Sequence, residues 1–150
     1  MKSSSEVSDE SVQPGRAPPV DLHEWQLALR VLAMPADTNP WGDIFGGWLL
    51  SQADVAGAAV AIARARGRVT TAAMQEFQFL EPVRVGDLVD LYARLVRVGT
   101  SSMVVEVCVW ARRESLPEDG HQVAKGRLVY VAVDAKGSSR PVDQPAPAND

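Results

Sequence analysis

Between Trp48 and Ala63 only Ser51, Gln52 and Asp54 interrupt a run of Leu, Ala, Val, Ile and Gly that contains no proline. Alanine and leucine favour helix, so Trp48 to Arg66 is predicted to be one long helix. Its few polar residues form no stripe, and a helix that is apolar nearly all round belongs in an interior. Sheet has to wrap it. Abundant alanine together with Gly57 lets strands come close to the helix axis. Arg64, Arg66 and Arg68 around Gly67 suit a helix C-terminus and its negative dipole end.

Everything after Gly67 reads as strand. The runs are Val69 to Leu80, Leu88 to Val98, Ser101 to Arg113 and His121 to Val133. Pro82 and Gly86-Asp87 break the first pair, Gly99-Thr100 reads as a tight hairpin turn, and Leu116 to Gly120 as a longer polar loop. Alternation is plain in Met103, Val105, Val107, Val109 and in Val123, Val129, Val131. Ahead of the helix, Leu27, Leu29 and Val31 alternate within Trp25 to Met34, a first strand stopped by Pro35, and Asp37 to Gly47 is a loop. A strand, a buried helix and a meander of strands make an α+β arrangement, one antiparallel sheet curled around a central helix. The other sheet face needs cover. Trp110, Tyr92 and Tyr130 fit an oligomer interface or cross-strand packing within one chain.

A length of 150 residues suits a single domain. Residues 1–21, rich in Ser, Pro and Glu, are expected to be a disordered tail, with no apolar core of a secretory signal after Lys2. Residues 22–134 form the expected domain. Residues 135–150 turn to Gly, Ser, Pro, Ala and Asp, a composition expected to leave a second disordered tail. Nineteen acidic against fifteen basic residues give a net charge of -4, which argues against a nucleic-acid partner. The longest apolar run, Val55 to Ala63, is far short of the roughly 20 residues of a bilayer span, so no membrane partner is expected. Cys108, the only cysteine, excludes an internal disulfide and points to a reducing compartment, the cytoplasm.

Asn39-Pro40-Trp41-Gly42-Asp43-Ile44-Phe45-Gly46-Gly47 carries a carboxylate into a glycine-rich helix start. The first N–H groups of a helix lack internal partners, so Phe45, Gly46 and Gly47 can donate to a developing oxyanion. Asp43 then either activates water or attacks the carbonyl, or else it is an N-cap. Asp54 is the one charge on the apolar helix, and an unpaired buried carboxylate is costly. It is either a hydrogen-bonded structural Asp or a second site carboxylate. His23 and His121 lie far apart, Gly-x-Ser-x-Gly is absent, and Gly42 to Gly47 has the spacing of neither a Walker loop nor a dinucleotide fingerprint. Cys108, set between valines, reads as a core or interface thiol.

Gly42-Asp43-Ile44-Phe45-Gly46-Gly47-Trp48, Ser51-Gln52-x-Asp54, Gly67-Arg68-Val69, Phe79-Leu80-x-Pro82-Val83-x-Val85-Gly86-Asp87 and Gly99-Thr100-Ser101-Ser102 follow in order. In these motifs, over about Leu27 to Pro141, the chain resembles the hotdog-fold acyl-CoA thioesterases of the YciA and cytosolic acyl-CoA hydrolase group. The resemblance implies hydrolysis of acyl-CoA to free acid and CoA, with sites at the interface of a homodimer and dimers often gathered into trimers of dimers. It implies no metal and no resident cofactor; coenzyme A enters only as part of substrate and product. Asp43 matches the family's catalytic acid, and Phe45-Gly46-Gly47 the helix start that binds the thioester carbonyl. In relatives with a His-Gly-Gly start, the position of Asn39 orients the substrate and that of Asp54 is the base. Thr71 matches a strand position facing the site from the partner subunit, while Gly99, Thr100, Ser101 and Ser102, with Arg68, match CoA-binding positions. Pro40-Trp41 and Gln75 depart from the family's usual residues. The alternative is a non-catalytic acyl-CoA-binding or sensing protein on the same fold. A hydratase needs an Asp-His pair, and no histidine lies near Asp43 in sequence.

Overall fold

A computed structural model describes residues 20–21, 23–113 and 120–144. Strand β1 (Gln26–Leu32) leads through a short 3-10 turn (Pro35–Asp37) into helix α1 (Gly46–Ala65). Four strands follow: β2 (Val69–Phe79), β3 (Leu88–Val98), β4 (Ser102–Arg112) and β5 (Gly120–Ala132). All pairings are antiparallel and the sheet order is β1-β3-β4-β5-β2, so the meander β3-β4-β5 is flanked by β1 and β2 as edges. This is the expected hotdog arrangement, one long helix against an antiparallel sheet.

Alternation decides the core. Val89, Leu91 and Ala93 on β3, and Met103, Val105, Val107, Val109 and Ala111 on β4, are fully or almost fully buried. They meet the small-residue face of α1, where Leu49, Ala53, Ala56, Gly57, Val60, Ala61 and Ala65 are buried. The intervening residues Asp90, Arg94, Glu106 and Arg112 carry ion pairs: Asp90 with Arg30 and Arg112, Glu106 with Arg94 and Arg127. The strands alternate apolar and polar because the pleat sends successive side chains to opposite faces.

Two expectations need correction. The helix is not enclosed: Val55 and Ile62, 57% and 48% exposed, lie on a face that none of the described residues covers. A sheet of five strands reaches only one side of a helix about 10 Å across. The second concerns residues 135–150, expected to be a disordered tail. Residues 135–144 pack instead, with Val142 buried and the Arg140 guanidinium donating to the carbonyl oxygens of Ala65, Val133, Pro141 and Gln144. Composition counts apolar side chains, and here one arginine does the anchoring. The helix also starts two residues earlier than predicted, at Gly46, and ends with Arg66 in the left-handed conformation.

The aromatic candidates for an oligomer interface are taken up within the chain. Tyr130 is fully buried under α1, Tyr92 is buried, and the indole of Trp110 lies where a side chain at position 120 would stand, which is why glycine is there. The tail of residues 1–21 lies outside the described residues except at its end, as do residues 145–150 and most of the loop at 116–120.

Candidate active site

The loop from Asn39 to Phe45 is stitched by its own backbone and by one side chain. Asn39 Oδ1 accepts the N–H groups of Trp41 and Asp43 at 2.9 and 3.1 Å, and Asn39 N–H donates to the Asp43 carbonyl. Gly42, at φ +94°, provides the left-handed residue this turn needs. Buried Ile44 donates its N–H to Val83, and Asp43 bridges to Arg84, which ties the loop to the chain ahead of β3. Asn39 thus holds the loop with its oxygen, and its amide nitrogen has no partner among the described residues.

This loop delivers Asp43 to the start of α1 without letting it cap the helix. Phe45 is the N-cap and makes no side-chain cap bond; the first turn holds no acidic residue. The capping alternative for Asp43 is therefore excluded by geometry. Its carboxylate is half-buried and has no hydrogen bond or ion pair among the described residues. Phe45 N–H is engaged, donating to the Asp37 carbonyl at 2.9 Å, which corrects its expected part as an oxyanion donor. The N–H groups of Gly46 and Gly47 have no partner among the described residues, as expected of a first helical turn. Two free donors and a free carboxylate share one helix start.

A cleft of about 380 Å³ opens there, bordered by Asn39, Asp43 and Gly46 on the polar side and by Leu49, Phe79 and Leu80 on the apolar side. A Cβ at position 46 would stand 3.2 Å from the Phe79 ring, so glycine keeps this wall close to the free N–H groups. The cleft can take a carbonyl at its polar end and an aliphatic chain along its wall.

Asp54 is held elsewhere. Its Oδ1 accepts from Thr71 Oγ1 at 2.7 Å and from the Tyr130 hydroxyl at 3.1 Å, and the same hydroxyl reaches the Asp54 carbonyl at 2.7 Å. Eight residues of helix separate Asp54 from Gly46, roughly 12 Å at 1.5 Å per residue, so within one chain the two aspartates do not share a site. Thr71, expected to face the site from a partner, is here bonded to the Asp54 of its own chain. The pairing of Asp54 with Tyr130 escaped the sequence because 76 residues separate them.

The expected CoA-binding residues gather at the other end of the helix. Thr100 and Ser101 accept from Val142 and Ala132 in the Gly99–Ser102 turn, and Arg68 donates to the Ala135 carbonyl at 2.8 Å. About 30 Å of helix separates them from Gly46. A larger hollow of about 700 Å³ lies over the charged sheet face, near Arg94, Glu106, Cys108 and Arg127, away from the helix start. Burial pushes the Cys108 thiol up to about 11, against a hydrogen bond from Gln122, so it remains a protonated core thiol. Among the described residues no three metal-ligating side chains converge, and no helix is long and apolar enough to cross a membrane.

The pattern of the thioesterase superfamily matches residues 42–118, which begin on the loop and helix start just described. The chain belongs to the thioesterase superfamily. It is similar to the acyl-CoA thioester hydrolase YciA of Salmonella typhimurium, 47% identical over 119 residues that cover 78% of this chain and 90% of the relative. The Escherichia coli protein of the same name is 47% identical over 122 residues, covering 80% of this chain and 92% of its own length. Among solved thioesterases, a hexameric one from Yersinia pestis superposes with a TM-score of 0.73 at 47% identity, over 77% of this chain and 94% of the other. A hexameric hotdog fold thioesterase of Campylobacter jejuni gives 0.75 at 41% identity, over 81% and 92%.

Proposed function

We propose that this chain is an acyl-CoA thioester hydrolase that converts acyl-CoA to a free carboxylic acid and CoA. The observation that carries the reading is the uncapped helix start, where Asp43 and Gly46 border one cleft with an apolar wall and, among the described residues, neither the Asp43 carboxylate nor the N–H groups of Gly46 and Gly47 have a partner. The thioester oxygen sits on the N–H groups of Gly46 and Gly47, which hold the negative charge that develops as the carbonyl is attacked. Asp43 takes the proton of the attacking water and passes it to the departing thiolate as the C–S bond breaks, or it adds to the carbonyl itself, expelling a CoA thiolate that takes a proton from solvent and leaving a mixed anhydride that water then hydrolyses to free acid and carboxylate. A thiolate is a good leaving group, so the reaction calls for no metal and no resident cofactor. The amide of Asn39 is free to orient the substrate.

A complete site draws on a second copy of the chain. β2 is an uncovered edge beside the exposed face of α1, and pairing two such edges about a twofold axis sets the helices antiparallel. The helix start of one copy then faces Asp54 and Thr71 of the other, while Gly99 to Ser102 and Arg68 of a neighbouring copy are placed to take CoA. Hexameric relatives support a trimer of such dimers. The lone, buried Cys108 suits work in the cytoplasm.

Thiol release over a panel of acyl-CoA lengths tests the reading. Asp43→Asn is expected to lower kcat/KM by about 100-fold or more with an unchanged melting temperature. Near-normal turnover in that variant removes Asp43 from the chemistry. Binding of acyl-CoA by the unaltered protein without any thiol release favours the sensing protein instead.

A further inference from the structure

Tyr130 is fully buried among aliphatic side chains, yet its hydroxyl is placed on Asp54. A phenylalanine would fill the same space without a polar group to satisfy. Instead the helix gives up a side chain for the contact: a Cβ at position 57 would lie 2.4 Å from the Tyr130 oxygen and 3.0 Å from its ring. Glycine in mid-helix costs about 1 kcal/mol relative to alanine. The contact is built from both sides.

Both hydroxyl donors converge on one oxygen of Asp54. Thr71 on β2 bonds Oδ1 at 2.7 Å, Tyr130 on β5 shares its one proton between the Asp54 carbonyl at 2.7 Å and Oδ1 at 3.1 Å, and Oδ2 has no partner among the described residues. One oxygen is anchored and the other is presented. No ion pair reaches Asp54 among the described residues, so these two hydroxyls are the groups that set its orientation. Burial, and after it the negative charge of Asp54, raise the Tyr130 phenol above its ordinary value, so it stays a donor throughout the neutral range.

We infer that Tyr130 is a positioning residue of the hydrolase, fixing the Asp54 carboxylate so that Oδ2 faces the site completed by a second copy. This rests on Asp54 taking part in thioester hydrolysis as proposed above. Tyr130 itself touches no substrate; it acts through the carboxylate. Losing its hydrogen bond frees the carboxylate to rotate.

The test compares Tyr130→Phe, Asp54→Asn and the double variant in acyl-CoA thiol release, with melting temperature recorded for each. Tyr130→Phe keeps the ring, and kcat is expected to fall about 10-fold, the scale of one hydrogen bond to a charged group, with KM nearly unchanged. The double variant should be no slower than Asp54→Asn alone, since the hydroxyl has nothing left to position. Gly57→Ala, which displaces the phenol while leaving it in the chain, should reproduce the kcat loss. Unchanged kcat and KM in Tyr130→Phe, with Asp54→Asn impaired, overturns the positioning role while Asp54 keeps its part. Full activity in Asp54→Asn overturns both.

Discussion

A mid-helix glycine such as Gly57 is explained only by what lies against it. Alanine there gains about 1 kcal/mol of helix propensity, but its Cβ would meet a buried phenol that has no free space to retreat into, and overpacking typically costs about 1–3 kcal/mol. The clash is expected to win, so Gly57→Ala should melt below the unaltered protein in a thermal scan. A rise would mean that Tyr130 yields easily. At this scale the sequence made Asp43 and the Gly46-Gly47 start conspicuous, since a carboxylate next to paired glycines needs no partner from afar to be noticed. It left Asp43 between cap and catalyst, because capping depends on backbone angles at Phe45 that spacing does not encode. It also left Asp54 without its two hydroxyl partners, which arrive from β2 and β5.

Strands and helix were legible at the level of elements because each carries a local period and its own breaker. β3 falls on the predicted residues, and the other strands differ by one or two residues at an end. The strap from Ala135 to Gln144 was not legible, because its stability comes from one side chain satisfying carbonyls on three segments rather than from an apolar run. The Arg140 guanidinium donates to Ala65 at the C-terminus of α1, where unpaired carbonyls and the negative dipole end favour a cation. Replacing it with leucine leaves those buried carbonyls without donors. Arg140→Leu is expected to cost about 2–3 kcal/mol, a lowered urea midpoint with an unchanged m-value. An unaltered midpoint would show that water takes over the bonds, and that Val142 alone secures the strap.

For the molecule as a whole, the apolar helix set a condition that one chain does not meet. Its sequence demands cover all round, but five strands bury only one face and leave Val55 and Ile62 in solvent. Beside that face runs β2, an 11-residue edge strand exposed along nearly its whole length, with Met74 39% exposed. A long uncovered edge next to an apolar stripe is unstable against association, and self-pairing closes both openings at once. The overall fold was therefore readable from one chain, whereas the proposed two-chain site was not, since nothing in the spacing of one sequence says which residues a second copy would bring. Light scattering should give a mass of at least two 16.2 kDa chains, six if dimers assemble as in the hexameric relatives. Met74→Lys, placing charge on the edge, should shift the protein toward smaller species and lower its activity in step, as the proposed two-chain site requires. A monomer that hydrolyses acyl-CoA at the full rate would refute the shared site, and would leave the exposed face of α1 without an explanation.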